Sequence, residues 1–165
     1  MMSIEPKNLS DLLYETLKDI YFAENQILTA LPKMAEAARS PDLKQAFQTH
    51  WQQTEGQVKR LEQIFELIGQ PAKQKTCSAI LGLIEEGKEV MEEFKGTTAL
   101  DPGLLAGAQA IEHYEISRYG TMISWAKTLG HDEVAELLSQ TLDEEESTDE
   151  LLSEIAETAV NAAAA

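Results

Sequence analysis

The stretch AIEHYEISRYG, residues 110–120, is spaced as a helix, yet it carries Glu112 and Glu115 where an apolar stripe should run. Working outward, Leu105, Ala108, Tyr119, Met122, Ala126 and Leu129 continue the same face in steps of three and four, so both acids belong to the face that turns inward. A helix of this length buries such a face against other helices, and three more segments carry a matching seam. One runs Leu13, Leu17, Ile20, Glu24, Ile27, Leu31, Met34. A second runs Leu43, Phe47, His50, Thr54, Gln57, Leu61, Ile64, Ile68. The last runs Ala135, Leu138, Leu142, Glu145, Asp149, Leu152, Ala156, Ala159. Each is apolar at its ends and polar at its middle.

Glycine and proline set the boundaries of these segments. Ser40-Pro41, Gly69-Gln70-Pro71, Gly96, Asp101-Pro102-Gly103 and Gly130 divide the chain into α1 at about 9–38, α2 at 41–69, α3 at about 74–95, α4 at 102–129 and α5 at 132–161. Asn8 with Asp11 resembles an N-cap pair. Ser40 and Asp101 each precede a proline suited to the first helical position, and Gly69 and Gly130 suit the left-handed residue past a helix end. Pro32 lies inside α1 and should kink it, because it has no N–H for the Leu28 carbonyl.

The α1–α2 and α4–α5 links permit only antiparallel hairpins, while about thirty residues and a helix separate α2 from α4. The expected fold is all-α, one domain, an antiparallel four-helix bundle with a long crossover. The crossover helix has an apolar stripe of its own, Ile80, Leu83, Val90, Met91 and Phe94, which should pack on the bundle or on a second subunit.

The polar interruptions should fall at one height. Glu24 lies sixteen residues before the turn at 40, and sixteen residues beyond it falls between Thr54 and Gln57. Glu115 and Glu145 each lie fifteen residues from Gly130. At about 1.5 Å per residue, Glu24, Glu112, Glu115, Glu145 and Asp149 then share one layer halfway along the bundle. Unpaired buried carboxylates cost several kcal/mol apiece, and no Lys or Arg lies on a seam. Either the acids are protonated or cations occupy the layer. Oxygen-rich surroundings with a few nitrogen or amide neighbours suit iron or manganese, with zinc, magnesium or calcium as substitutes.

Around that layer, Tyr119 reads as a core aromatic whose hydroxyl reaches the acids. His50, about two turns nearer the α1–α2 turn, reads as a hydrogen-bonded core histidine rather than a ligand. His113 and His131 fall off the seams and read as surface residues. In the run Asp143–Glu146 only Glu145 turns inward, and Cys77 reads as an inert thiol within a helical pattern, without metal-site spacing.

Composition limits the partners. With 43% hydrophobic and 25% charged residues the chain is ordinary for a globular protein, but 13 basic against 29 acidic side chains give a net charge of −16, which repels nucleic acid and anionic membranes. Without a long apolar run or a signal-like start, the expected location is cytoplasmic.

Several of these residues together resemble a known family. Ala23-Glu24, His50 with Thr54, Gln57 and Arg60-Leu61, Glu112-His113-Tyr114-Glu115 with Tyr119-Gly120, and Thr141-Leu142 with Glu144-Glu145 and Thr148-Asp149 are similar to the YciE/YciF family, from about Leu9 to Ala159. That resemblance implies a ferritin-like bundle, a dinuclear metal site related to that of rubrerythrins, a homodimer and an association with bacterial stress responses. It also implies that Glu24, the Glu112/Glu115 pair and Glu145 correspond to ligands. Against the wider pattern, α2 offers Thr54 and Gln57 in place of Glu-x-x-His, and α5 has Asp149 near the position of a histidine.

Three functions follow as expectations. The first is a di-metal protein, with peroxidase- or ferroxidase-like oxidoreductase chemistry if it is catalytic. The second is a non-catalytic structural or interaction dimer with a degenerate site, and the third an iron-storing, DNA-binding cage, which the negative charge disfavours.

Overall fold

The computed structural model describes residues 5–165. The chain folds into α1 (Leu9–Ala37), α2 (Pro41–Leu67), α3 (Ser78–Glu93), α4 (Leu100–Thr128) and α5 (Asp132–Ile155). Beyond Ile155 the last helix widens into one π-type turn, Ala156–Val160, and resumes over Asn161–Ala164. Helices α1, α2, α4 and α5 form a ferritin-like antiparallel bundle, and α3 on the α2–α4 crossover packs on α4 and α1. Among the described residues, no helix is long and apolar enough to cross a membrane.

Local chemistry explains the ends. Asn8 and Asp11 cap α1 reciprocally: the Asn8 N–H donates to Asp11 Oδ2 at 2.8 Å, and the Asp11 N–H donates to Asn8 Oδ1 at 3.2 Å. Gly69 and Gly130 take φ of 67° and 76°. The next amides, of Gln70 and His131, then reach back to the Phe65 and Ala126 carbonyls at 3.0 and 2.8 Å, closing α2 and α4 in Schellman turns.

Two boundaries differ from the sequence reading. Residues 70–77 are not helical; the Tyr14 hydroxyl donates to the Pro71 carbonyl at 3.0 Å and the Lys75 N–H to the Lys18 carbonyl at 3.1 Å, holding this segment along α1. Helix α3 therefore starts only at Ser78, and Cys77 is its N-cap, with Sγ accepting from the Ile80 N–H at 3.4 Å. Helix α4 begins at Leu100, and Asp101 does not cap it. Its buried carboxylate instead accepts the Arg39 and Ser40 N–H groups at 2.8 and 2.7 Å. That pair of bonds ties the start of α4 to the α1–α2 turn and sets the register between the two hairpins.

Pro32 sits within a continuous α1. The Leu28 carbonyl that it leaves without a helical donor accepts the Trp51 indole N–H from α2 at 3.1 Å. Trp51→Phe should cost about 1 kcal/mol or more in urea unfolding, since that carbonyl then loses its donor. In a Pro32→Ala background, which restores a helical N–H, the same change should cost less. Equal costs in the two backgrounds would contradict this role.

Candidate metal centre

Each bundle helix brings its polar residues to the centre because the seams above and below are apolar and fully packed. Leu13, Leu17 and Ile20 precede Glu24 on α1, while Leu61 and Ile64 follow Gln57 on α2. The result is a layer in which Glu24, His50, Gln57, Glu112, Glu115, Tyr119 and Glu145 are all buried. One ligand atom from each of His50, Glu112, Glu115 and Glu145 lies within 4.8 Å of all the others, and this group could hold a metal ion.

The contacts inside the layer are few. His50 Nε2 lies 2.9 Å from Glu112 Oε1 and 3.9 Å from Glu145 Oε2. The shorter approach lacks the alignment of a hydrogen bond, so both ring nitrogens of His50 have no partner. The Tyr119 hydroxyl donates to Glu24 Oε1, and the Gln57 amide donates to Glu145 Oε1. Both Glu115 oxygens and one oxygen each of Glu24, Glu112 and Glu145 have no hydrogen-bond partner. With Gln57 Oε1 and the His50 nitrogens, these are all the partnerless buried side-chain atoms among the described residues.

Burial governs their protonation. It raises Glu24 to about 8, with the charge of Glu145 adding and the hydrogen bond from Tyr119 opposing. It raises Glu112 to about 7, and it pushes Glu115 and Glu145 well above the usual carboxyl range, the charges of Glu145, Glu24 and Glu112 adding to the shift of Glu115 and that of Glu112 to the shift of Glu145. Burial first, then the charges of Glu24 and Glu115, keeps Tyr119 a neutral donor.

A polar flank closes the layer between α2 and α5. Arg60, absent from every seam, reaches in from the side: Nη1 donates to Thr141 Oγ1 at 3.1 Å and to Glu144 Oε2 at 3.0 Å, and Nη2 to Glu144 Oε1 at 2.5 Å. Gln57 Nε2 joins this pair to the layer by donating also to Glu144 Oε2 at 3.0 Å.

Three sequence expectations are revised. His50 is part of the group rather than two turns outside it. It lies ten residues past Ser40, Glu112 lies eleven past Asp101, and the Asp101 clamp puts those two starting points together, so imidazole and carboxylate meet. Asp149 does not join the layer. On α5 the buried face steps through Leu138, Thr141, Glu145, Thr148 and Leu152, which turns Leu142 and Asp149 toward the edge. There Asp149 Oδ1 accepts from Gln109 Nε2 at 3.3 Å, and Oδ2 lies 3.1 Å from Nε2 of the exposed His113. Thr54 is buried, but its hydroxyl donates to the His50 carbonyl of its own helix at 2.8 Å rather than to the acids.

This layer sits in a bundle that known proteins share. Residues 8–165 match the family described as a domain of unknown function, DUF892. The chain belongs to that family. It is 41% identical over 156 residues to the protein YciF of Escherichia coli K12, covering 94% of each sequence. Among solved structures, that of the E. coli stress protein YciF matches with a TM-score of 0.90 at 41% identity, over 94% of this chain and 99% of the other. That of YcfI from Rhodopseudomonas palustris, whose description suggests a structural protein, matches with a TM-score of 0.88 at 44% identity, over 93% and 98%. The resemblance read from the Glu112–Glu115 region is thus a family relationship.

The buried carboxyls make a pH prediction for this family member. Each holds its proton to higher pH in the folded state than at its ordinary value of 4.5. In chelator, the folded state therefore binds more protons than the unfolded chain between pH about 4.5 and about 8, and stability falls as pH rises through that window. The thermal midpoint should drop steadily from pH about 5 to about 8; a flat or rising profile would contradict the buried acids.

Proposed function

We propose that this protein is a ferritin-like metal-binding protein whose central layer holds a carboxylate-bridged pair of metal ions, iron in the first place and manganese in the second. The observation that carries this reading is that every partnerless buried side-chain atom among the described residues lies in one layer. Cations within reach of those oxygens and nitrogens would offset both the desolvation and the mutual repulsion of the acids. Glu112, Glu115, Glu145 and His50 are the proposed inner ligands, with Glu24 completing the layer from α1. Asp149 is proposed only as an outer charge, which acts on Glu112.

A pair of iron ions bound there would supply one- and two-electron chemistry toward dioxygen or peroxide, in keeping with the stress-protein description of the E. coli relative. The chain's own residues do the rest. Tyr119 fixes the Glu24 carboxylate, Gln57 fixes Glu145, and the part-exposed Arg60–Glu144 pair lines the α2–α5 side with polar groups. Zinc, magnesium or calcium would fit the same donors without redox chemistry. We further read the chain as a cytoplasmic homodimer that binds neither nucleic acid nor membrane; the net charge of −16 supports the latter two.

A second reading, a non-catalytic helical dimer with protonated acids, draws support from α2, which brings His50 and Gln57 but no carboxylate to the layer. Anaerobic Fe(II) titration separates the two. The metal reading expects saturation near about two ions per chain, as in related bundles. It also expects at least about tenfold weaker binding in Glu115→Gln, and about 10- to 100-fold weaker binding in Gln57→Leu, which frees Glu145. The structural reading expects no binding tighter than micromolar, and Glu115→Gln more stable than wild type in chelator and unchanged by added metal.

A further inference from the structure

On the side of the bundle opposite the Arg60–Glu144 flank, α1, α3 and α4 leave a cleft with about 90 Å³ of free volume. Its inner wall includes Ala30, Met34 and Ile111. The same three residues also line a small void of about 10 Å³, whose other lining residues include His50 and Glu112. Thus only three side chains separate the outer cleft from a space at the edge of the acidic layer. The smallness of Ala30 and Ala108 opens this gap between α1 and α4, and Met34, unbranched and able to change rotamer, stands within it.

We propose that the cleft and the void form the entry path for dioxygen to the His50–Glu112 edge of the layer, with Met34 as the side chain that moves aside. The purpose of this path rests on the metal-binding reading above. At about 10 Å³ the void is at the lower limit of the roughly 10–15 Å³ that a single water needs, so a guest as large as dioxygen enters only when Met34 moves aside. Apart from His50 and Glu112 its walls are Ile27, Ala30, Leu31, Met34, Ala108 and Ile111. Peroxide or a hydrated cation would give up its hydrogen bonds to pass them; dioxygen has none to give up. Cations have the polar α2–α5 flank on the other side, so the two kinds of guest reach the layer from opposite faces.

The test uses dioxygen as its own probe on the full-length protein in chelator. Dissolved dioxygen is paramagnetic, and methyl NMR under oxygen pressure, with nitrogen as control, reads where it resides. The expected result is stronger relaxation at the inner-void methyls of Ile27 and Ala108 than at Leu61 and Ile64, which are equally buried elsewhere in the core. Ala30→Leu, which fills the shared wall, should abolish the excess at Ile27 and Ala108 and leave it at Leu83 in the cleft. Met34→Ala, a variant that creates space rather than crowding, should increase it. No excess at the inner methyls, or an excess indifferent to both variants, would overturn the path.

The metal-loaded protein gives a second arm. Ala30→Leu should slow oxidation of bound Fe(II) by dioxygen several-fold at unchanged Fe(II) affinity while leaving oxidation by peroxide near wild type. Equal slowing by both oxidants would overturn the selectivity for dioxygen. Failure of wild type to bind iron would refute the metal-binding reading alone, since the relaxation measurement does not involve it.

Discussion

Four glutamates and a histidine removed from water in one layer are the constraint to which the rest of this bundle answers. Ionised, the acids repel each other at close range without water to screen them; neutral, they leave oxygens without donors. The protein supplies only part of the remedy. Tyr119 serves one oxygen of Glu24 and Gln57 one of Glu145, while Glu115 is served at neither. A layer so incompletely satisfied between well-packed apolar ends is what a resident cation would complete, and the proposed function follows from that shortfall.

Such a layer requires register to within about one helical turn, because a one-turn slip displaces a carboxylate by about 5.4 Å. Three features enforce it. Asp101 clamps the start of α4 to the α1–α2 turn. Trp51 ties α2 to the carbonyl freed by Pro32 in α1. The Gly130 turn fixes α5 against α4. Helix α3 packs tightly as well: a β-carbon on Gly103 would fall 2.5 Å from Val90 Cγ1, so the glycine lets α3 approach α4.

Much of this was legible in the sequence because helical bundles write their core as a period. The seams carrying Glu24, Glu112, Glu115 and Glu145, the two hairpins and the long crossover all followed from apolar spacing and from where glycine and proline stand. What escaped depended on relations between helices. On α5 the steps of three and four branch twice, from Leu138 to Thr141 or Leu142 and from Glu145 to Thr148 or Asp149; the pattern allows either, and packing buries Thr141 and Thr148, which leaves Asp149 at the edge. His50 could be levelled with Glu112 only once Asp101 was known to clamp the turn. Arg60 left no trace on any seam, since a long side chain reaches inward from a flank. Cys77 read as helical because nothing in the sequence showed that Tyr14 and Lys18 would hold residues 71–75 along α1.

The most direct test of the central claim is an anomalous diffraction map of crystals grown with Fe(II) under anaerobic conditions, recorded above and below the iron edge. The account predicts iron peaks enclosed by Glu24, His50, Glu112, Glu115 and Glu145. A layer free of iron, with the glutamates in direct hydrogen-bonded contact with one another at saturating Fe(II), would contradict it.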